Sequence, residues 1–284
     1  MDKNTKIVIG VITIFLLLIL ALFLSTFILN NNTANVVVIP VHGSIDFSYS
    51  SSSTHPQNIK NLIQQANNDE NIDAIVLDIN SPGGTSVAAD EVSNAVKNSK
   101  KPIIAWISDV GASAAYLIAS SADKIVASRT SLVGNIGTII ELEDNSKQYE
   151  KKGTKKYVIK GGEYKDIMSD YRNMTKNESA MIQSIVDEDY DLFIDDVAKN
   201  RNLSKDYVKT VADGKIYSGN QALKVKLVDS VGLKEDALQL AADLSHKENY
   251  SELTYSSGFD TSIIIEMLHL IDKNTGLSLH NLIK

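Results

Sequence analysis

Asp73-Ala74-Ile75-Val76-Leu77-Asp78-Ile79-Asn80, followed at once by Ser81-Pro82-Gly83-Gly84, decides the class of fold. The first eight residues are a short, mostly apolar run, and the next four are a turn signal. A run of that length, bounded by proline and glycine, predicts a buried strand. Downstream, residues 86–99 carry Val87, Val92 and Val96 at spacings that predict a helix facing a sheet, and Pro102–Ile107 reads as a second buried strand. Upstream, residues 57–67 put Ile59, Leu62, Ile63 and Ala66 on one helical face, and Val36–Val41 reads as the first strand. Between them, the serine-rich stretch Phe47–His55 reads as a polar loop. Strands alternating with helices predict an α/β domain around a largely parallel sheet.

The same stretch opens the question of chemistry. Two glycines after a proline let bare backbone N–H groups approach a ligand closely, as an oxyanion requires. Alternatively, Pro-Gly-Gly simply ends a strand. After Pro102–Ile107, Asp109-Val110-Gly111 reads as a turn, and Ala112–Ala122 is almost entirely small or apolar. That puts Ser113 at or near a helix start, as a nucleophile or merely as an N-cap. No histidine lies between Ser113 and His246, so if Ser113 is a nucleophile its nearest plausible base is a lysine. Lys165, in Gly161-Gly162-Glu163-Tyr164-Lys165-Asp166-Ile167-Met168, has Tyr164, Ile167 and Met168 as candidate apolar walls. A lysine is a base only when its amine is neutral, which apolar burial promotes; the carboxylates of Glu163 and Asp166 would oppose this if they faced the amine. Lys124, Lys155, Lys156 and Lys160 compete for the role, the last three within a basic run that reads as a solvated edge.

Composition bounds the alternatives. A chain of 284 residues holds one sizeable domain plus an anchor, or two small domains. The net charge of −7, with no basic patch, argues against nucleic-acid binding. With no cysteine, disulfides, thiol catalysis and thiolate metal sites are excluded. The five histidines lack paired ligand spacing, and Asp187-Glu188-Asp189 with Asp191 reads as a solvated helix face. No metal or cofactor is expected.

Residues 7–29 form an uncharged apolar stretch of about 23 residues, enough to cross a bilayer core and too long for a cleaved signal. Lys3 and Lys6 precede it, which predicts a cytoplasmic N-terminus and a domain on the outer side of the membrane.

Taken in order, Asn80-Ser81-Pro82-Gly83-Gly84, Ala112-Ser113-Ala114-Ala115-Tyr116, Ala122-Asp123-Lys124-Ile125, Gly134-Asn135-Ile136-Gly137 and Lys165-Asp166-Ile167-Met168 resemble the SppA family of signal peptide peptidases. The likeness continues through Met174-Thr175-Lys176, Ala212–Gly219 and Leu227–Gly232. It implies a ClpP/crotonase-like spiral of ββα units, preceded by one N-terminal transmembrane helix. It further implies a membrane serine endopeptidase with Ser113 as nucleophile, Lys165 as general base and the Gly83–Gly84 turn as oxyanion hole. The family's Gly-Ser-Ile-Gly is here Gly134-Asn135-Ile136-Gly137, so Asn135 takes the place of the lysine-orienting serine. The nucleophile is followed by Ala114-Ala115-Tyr116-Leu117 rather than the frequent Gly-Gly-Tyr-Tyr.

The expected organisation is a cytoplasmic N-terminus at 1–6, an anchor at 7–29, a linker at 30–35, the peptidase domain at 36–240 and a C-terminal helical extension at 241–284. One copy of each motif matches the short form, which implies a homo-oligomeric ring, with a dyad that can be shared across subunits. The implied substrates are membrane-derived peptides, above all cleaved signal peptides. The alternatives are a membrane serine–lysine protease trimming stomatin-like proteins, an acyl-CoA hydratase or isomerase of the same fold, and a non-catalytic membrane scaffold. Residues 262–272 are too short to span a bilayer and read as an oligomer interface or a membrane contact.

Overall fold

The computed structural model describes residues 12–20, 32–50 and 52–255. Residues 12–20 are helical (α1), apolar and exposed. The remainder of the expected 7–29 anchor lies outside the described residues, as does the 262–272 segment. Among the described residues, no helix is long and apolar enough to cross a membrane.

The centre of the domain is a parallel sheet. β1 (Thr33–His42) pairs with β4 (Ala74–Ser81), and β4 pairs in turn with β5 (Ile103–Ala112). β5 continues to β6 (Lys124–Ala127), which pairs with the short β9 (Ser230–Val231). A strand covered on both faces needs no polar side, which is why Ala74-Ile75-Val76-Leu77 is unbroken and fully buried. Alternation still sorts the side chains. Val37, Ile39, Ile75 and Leu77 enter the core beneath α2 (Pro56–Asn68), α3 (Ser86–Lys97) and α4 (Ala114–Ser120). Val36, Val38, Val76 and Ile104 face α9 (Lys234–Leu244), through Ala237, Leu238 and Ala241.

Several expectations are refined. Ile59, Leu62, Ile63 and Ala66 form the buried face of α2 as read. Val92 and Val96 are buried as read, but Val87 is exposed; α3 starts at Ser86 with a phase that buries Ala88 and Ala89 in its place. The expected 47–55 loop is folded onto a small sheet of β2 (Ser44–Ile45) and β3 (Ser53–Thr54). Asp109-Val110-Gly111 is strand rather than turn. Beyond Ile107, β5 takes a new partner, β7 (Leu132–Gly134), on the edge of the sheet, where Asp109 stays in solvent.

The boundary placed at 240 falls inside α9, and residues 249–254 are not helical. They form β10 (Asn249–Thr254), a parallel strand on the edge of β1 from Thr33↔Asn249 to Val38↔Thr254. The same pairing draws residues 33–35 out of the expected linker and into β1. An unpaired β1 edge would leave its backbone groups without partners, and β10 supplies them.

Between β7 and α6 (Lys176–Asn200) the chain makes a long excursion containing only α5 (Ser146–Lys151). α6 starts with a capping box, in which Thr175 Oγ1 accepts the Glu178 N–H and Glu178 accepts the Thr175 N–H. Only its C-terminal half enters the core, through Phe193, Ile194, Val197 and Ala198; Met181 and Ile185 are exposed. The domain closes with α7 (Lys205–Val211), β8 (Ile216–Ser218), antiparallel to β7, and α8 (Gly219–Lys224).

Candidate active site

Three chain reversals at the C-terminal end of the sheet meet at Ser113: the turn after β4, the junction of β5 with α4, and the end of β7. Ser113 has φ 54° and ψ −126°, a conformation that a residue with a Cβ rarely adopts and that stores about 1–3 kcal/mol of strain. It is held at both ends. Its N–H donates to the Gly134 carbonyl at 2.8 Å, and its carbonyl accepts the Tyr116 and Leu117 N–H groups at 2.9 and 3.1 Å. Its hydroxyl makes no capping hydrogen bond, so capping does not explain a serine at this position. Ser113 instead lines a cavity of about 690 Å³.

The glycine turn presses against it. Gly83 has φ 117°, and a Cβ there would lie 2.7 Å from Ser113 Cβ and 3.2 Å from the Ala114 nitrogen. The Gly83 N–H is already engaged, donating at 3.1 Å to the hydroxyl of fully buried Ser81. Gly84 is different. Its neighbours fix it through a bridge to Ile45, with Ile45 N–H to the Gly83 carbonyl and Thr85 N–H to the Ile45 carbonyl, both at 2.9 Å. The Gly84 and Ala114 N–H groups donate to no other group among the described residues, and both residues line the cavity. Of the two glycines expected as an oxyanion hole, Gly84 offers a free donor, while Gly83 is the spacer that lets the turn reach Ser113.

Asn135 also lines the cavity, in a left-handed conformation (φ 49°) that asparagine tolerates well. Its N–H donates to the Lys215 carbonyl at 2.7 Å and its side-chain Nδ2 to the Gly214 carbonyl at 2.8 Å, which leaves the amide oxygen as its acceptor. α6 forms the opposite wall through Val186, Tyr190 and Phe193. Asp189, read from sequence as part of a solvated face, belongs to that wall and accepts from Ser86 Oγ at 2.9 Å and Thr138 Oγ1 at 2.8 Å. Burial, together with the carboxylates of Asp196 and Asp189, pushes the Asp90 carboxyl above its ordinary range. Among the described residues no cluster has the make-up of a metal site.

Lys165 is not on the wall of this cavity. It lies exposed on the excursion, in the turn region 161–168, and Tyr164 and Met168 are exposed beside it rather than enclosing it. Within one chain, Ser113, Gly84 and Asn135 are brought together and Lys165 is not. Ser81 and Asp189 were missed in the sequence. Ser81 had a usable signal, because a serine two residues before a glycine N–H is a common turn pairing; Asp189 had none, because its partners are 103 and 51 residues away.

A largely parallel α/β sheet, with a strained serine between strand and helix beside free backbone donors, defines a chain of the ClpP type. The Clp protease family matches residues 42–134, and Peptidase family S49 matches residues 95–248. A protein of Methanocaldococcus jannaschii named as a protease is 39% identical over 197 residues, covering 69% of this chain and 63% of that protein. One of Enterococcus faecium named as a signal peptide peptidase SppA is 37% identical over 185 residues, covering 64% of this chain and 54% of that protein. This chain therefore spans less than two thirds of the length of either. Among solved structures, a mutant of the 1510-N membrane-bound stomatin-specific protease, in complex with a substrate peptide, superposes with a TM-score of 0.55. Identity is 16%, over 83% of this chain and 98% of that one, a likeness of fold alone. The chain belongs to peptidase family S49 and is related to the signal peptide peptidase SppA.

Proposed function

We propose that this protein is a membrane-anchored serine endopeptidase, with Ser113 as nucleophile and Lys165 as general base, acting on signal peptides left after preprotein processing. The observation that carries this reading is the state of Ser113: strained, with a hydroxyl that makes no capping bond, and facing a cavity beside two free N–H groups. In the reaction, neutral Lys165 takes the Ser113 proton as the oxygen attacks a peptide carbonyl. The developing oxyanion accepts from the Gly84 and Ala114 N–H groups. The Lys165 ammonium then protonates the leaving amine, and the neutral amine activates the water that cleaves the acyl-enzyme.

Lys165 reaches Ser113 from a second copy of the chain. The excursion that carries it exposes Tyr157, Val158, Ile159, Tyr164 and Met168, apolar side chains suited to a contact between subunits. Asn135, with its free amide oxygen, would receive and orient the incoming amine. Residues 7–29 would anchor the chain with its N-terminus in the cytoplasm and the peptidase domain on the outer side. The name of the E. faecium relative supports the signal-peptide assignment over stomatin-like substrates.

The test is hydrolysis of a synthetic signal peptide by the full chain in detergent. Ser113→Ala and Lys165→Ala should each abolish it with folding unchanged; activity retained in Lys165→Ala would remove Lys165 from the mechanism.

A further inference from the structure

Glu163 lies two residues before Lys165, and Asp166 is its immediate neighbour. An opposite charge within about 4–6 Å of an amine favours its protonated form, which is the wrong form for a base. The Asp166 carboxylate is, however, fully engaged elsewhere. Arg172 grips it with two bonds, Nε to Oδ2 at 3.0 Å and Nη2 to Oδ1 at 2.9 Å. Lys160 Nζ donates to Oδ1 at 2.5 Å and to the Glu163 carbonyl at 2.7 Å, and the Tyr171 hydroxyl donates to Oδ2 at 3.3 Å.

The same guanidinium has a second grip. Nη1 donates to Glu178 Oε2 at 2.9 Å and Nη2 to Oε1 at 2.7 Å. Glu178 is the capping-box residue of α6 and is almost wholly buried. Arg172 thus joins the Lys165 turn to the first turn of the helix that walls the Ser113 cavity. On the other side of the turn, Asp170 is taken up by α5 and its flanks: Tyr149 donates to its carboxylate, and the Asn145 N–H donates to its carbonyl at 2.7 Å. The charged groups of this region are therefore Lys160, Glu163 and Asp166 on the turn, Asp170 and Arg172 after it, Glu178 on α6, and Lys156 near Asp170.

We propose that Arg172 is a positioning residue for the catalytic base: by bridging Asp166 to Glu178 it fixes the direction in which Lys165 is presented and withholds the Asp166 carboxylate from the Lys165 amine. This rests on the reading of Lys165 as the base. The arginine fork is needed for both grips, since a lysine there would offer a point charge without the planar double contact. The low titration ranges of Asp166 and Glu178, both held down chiefly by Arg172, agree with a clamp that stays charged throughout the working pH range.

The experiment measures kcat and KM against pH for a peptide ester, using the full chain in detergent, for wild type, Lys165→Ala, Arg172→Gln, Arg172→Lys and the double variant Arg172→Gln with Asp166→Asn. Thermal unfolding and oligomer size are followed in each. Arg172→Gln should lower kcat about tenfold or more with little change in KM, and move the acid limb of the profile upward by roughly one pH unit, as the freed carboxylate holds the proton on Lys165. The double variant should return the limb to its wild-type position while the kcat deficit remains. Arg172→Lys should fall between the two. The proposal is overturned if Arg172→Gln keeps the wild-type rate and profile, or if the rate falls with an unmoved limb that the second substitution does not alter. Loss of folding in Arg172→Gln leaves Arg172→Lys to decide, by the same shift of the limb. A fully active Lys165→Ala would overturn the base assignment and this proposal together, whereas an inactive Lys165→Ala with a wild-type-like Arg172→Gln overturns the proposal alone.

Discussion

The two halves of the proposed dyad sit in regions built on opposite terms. Around Ser113 the backbone is over-determined: buried strands end in tight turns, glycines stand where no Cβ fits, and the serine is held in a conformation it would not choose. Around Lys165 the chain is exposed, with few hydrophobic contacts, and is organised instead by a polar clamp on Arg172. A nucleophile and its oxyanion donors must be aligned within a fraction of an ångström, which packed backbone can supply within one chain. A base needs a dry, apolar setting, and the excursion does not provide one by itself. On the proposed reading, that setting is completed by a second copy of the chain.

The strongest way to break this contrast is Gly83→Ala. Its methyl group would clash with Ser113 and with the Ala114 N–H, and φ 117° would be strained as well. Peptide hydrolysis should fall more than about 100-fold, the scale of losing oxyanion stabilisation. Near-normal turnover in steady-state assays would mean that the turn does not shape the site. Ser81→Ala comes next. It leaves the Gly83 N–H buried without a partner, which costs about 1–3 kcal/mol of stability. Chemical denaturation should detect that loss, accompanied by a smaller fall in rate than for Gly83→Ala.

How much of this was legible in the sequence follows the same division. The apolar run Ala74–Ile79 and the face of α2 depend on neighbours near in sequence, and both are legible there. The extension of β5 to Ala112 and the strand β10 were not, because both depend on a distant pairing partner, β7 in one case and β1 in the other. Val87 faces solvent rather than the sheet because a helix's phase depends on where the helix starts. At the site, the glycine turn and Ser113 were visible as local motifs. The division of labour between Gly83 and Gly84 was not, because it depends on the Ser81 hydroxyl and on Ile45. For Lys165 the motif is legible, but the apolar walls expected from its neighbours are not formed within one chain, where Tyr164 and Met168 are exposed.

On the excursion side, Ile159 is fully exposed, so Ile159→Ser should leave the stability of the isolated subunit within about 0.5 kcal/mol. Size-exclusion chromatography with light scattering should show weakened assembly, and activity should drop in proportion. Unchanged assembly would remove this residue from the contact. The smallest effect concerns acid. Arg172, and then the Thr175 N–H, hold the Glu178 carboxyl down at about 2, against an ordinary value of 4.5. A depressed carboxylate stabilises the fold fully above its unfolded value, and that contribution disappears as pH falls through the folded one. Thermal midpoints should therefore decline between pH 4.5 and about 2, and less steeply in Glu178→Gln, which keeps the shape of the capping box without its charge. Parallel declines would mean that Glu178 does not carry this dependence.

The most direct measurement mixes the two inactive variants, Ser113→Ala and Lys165→Ala, under conditions that let subunits exchange. If each site takes its serine from one copy and its lysine from a neighbour, random mixing rebuilds about a quarter of the sites, and activity should return to about that share of wild type. No recovery in mixed oligomers, alongside an active wild type, would contradict the shared dyad.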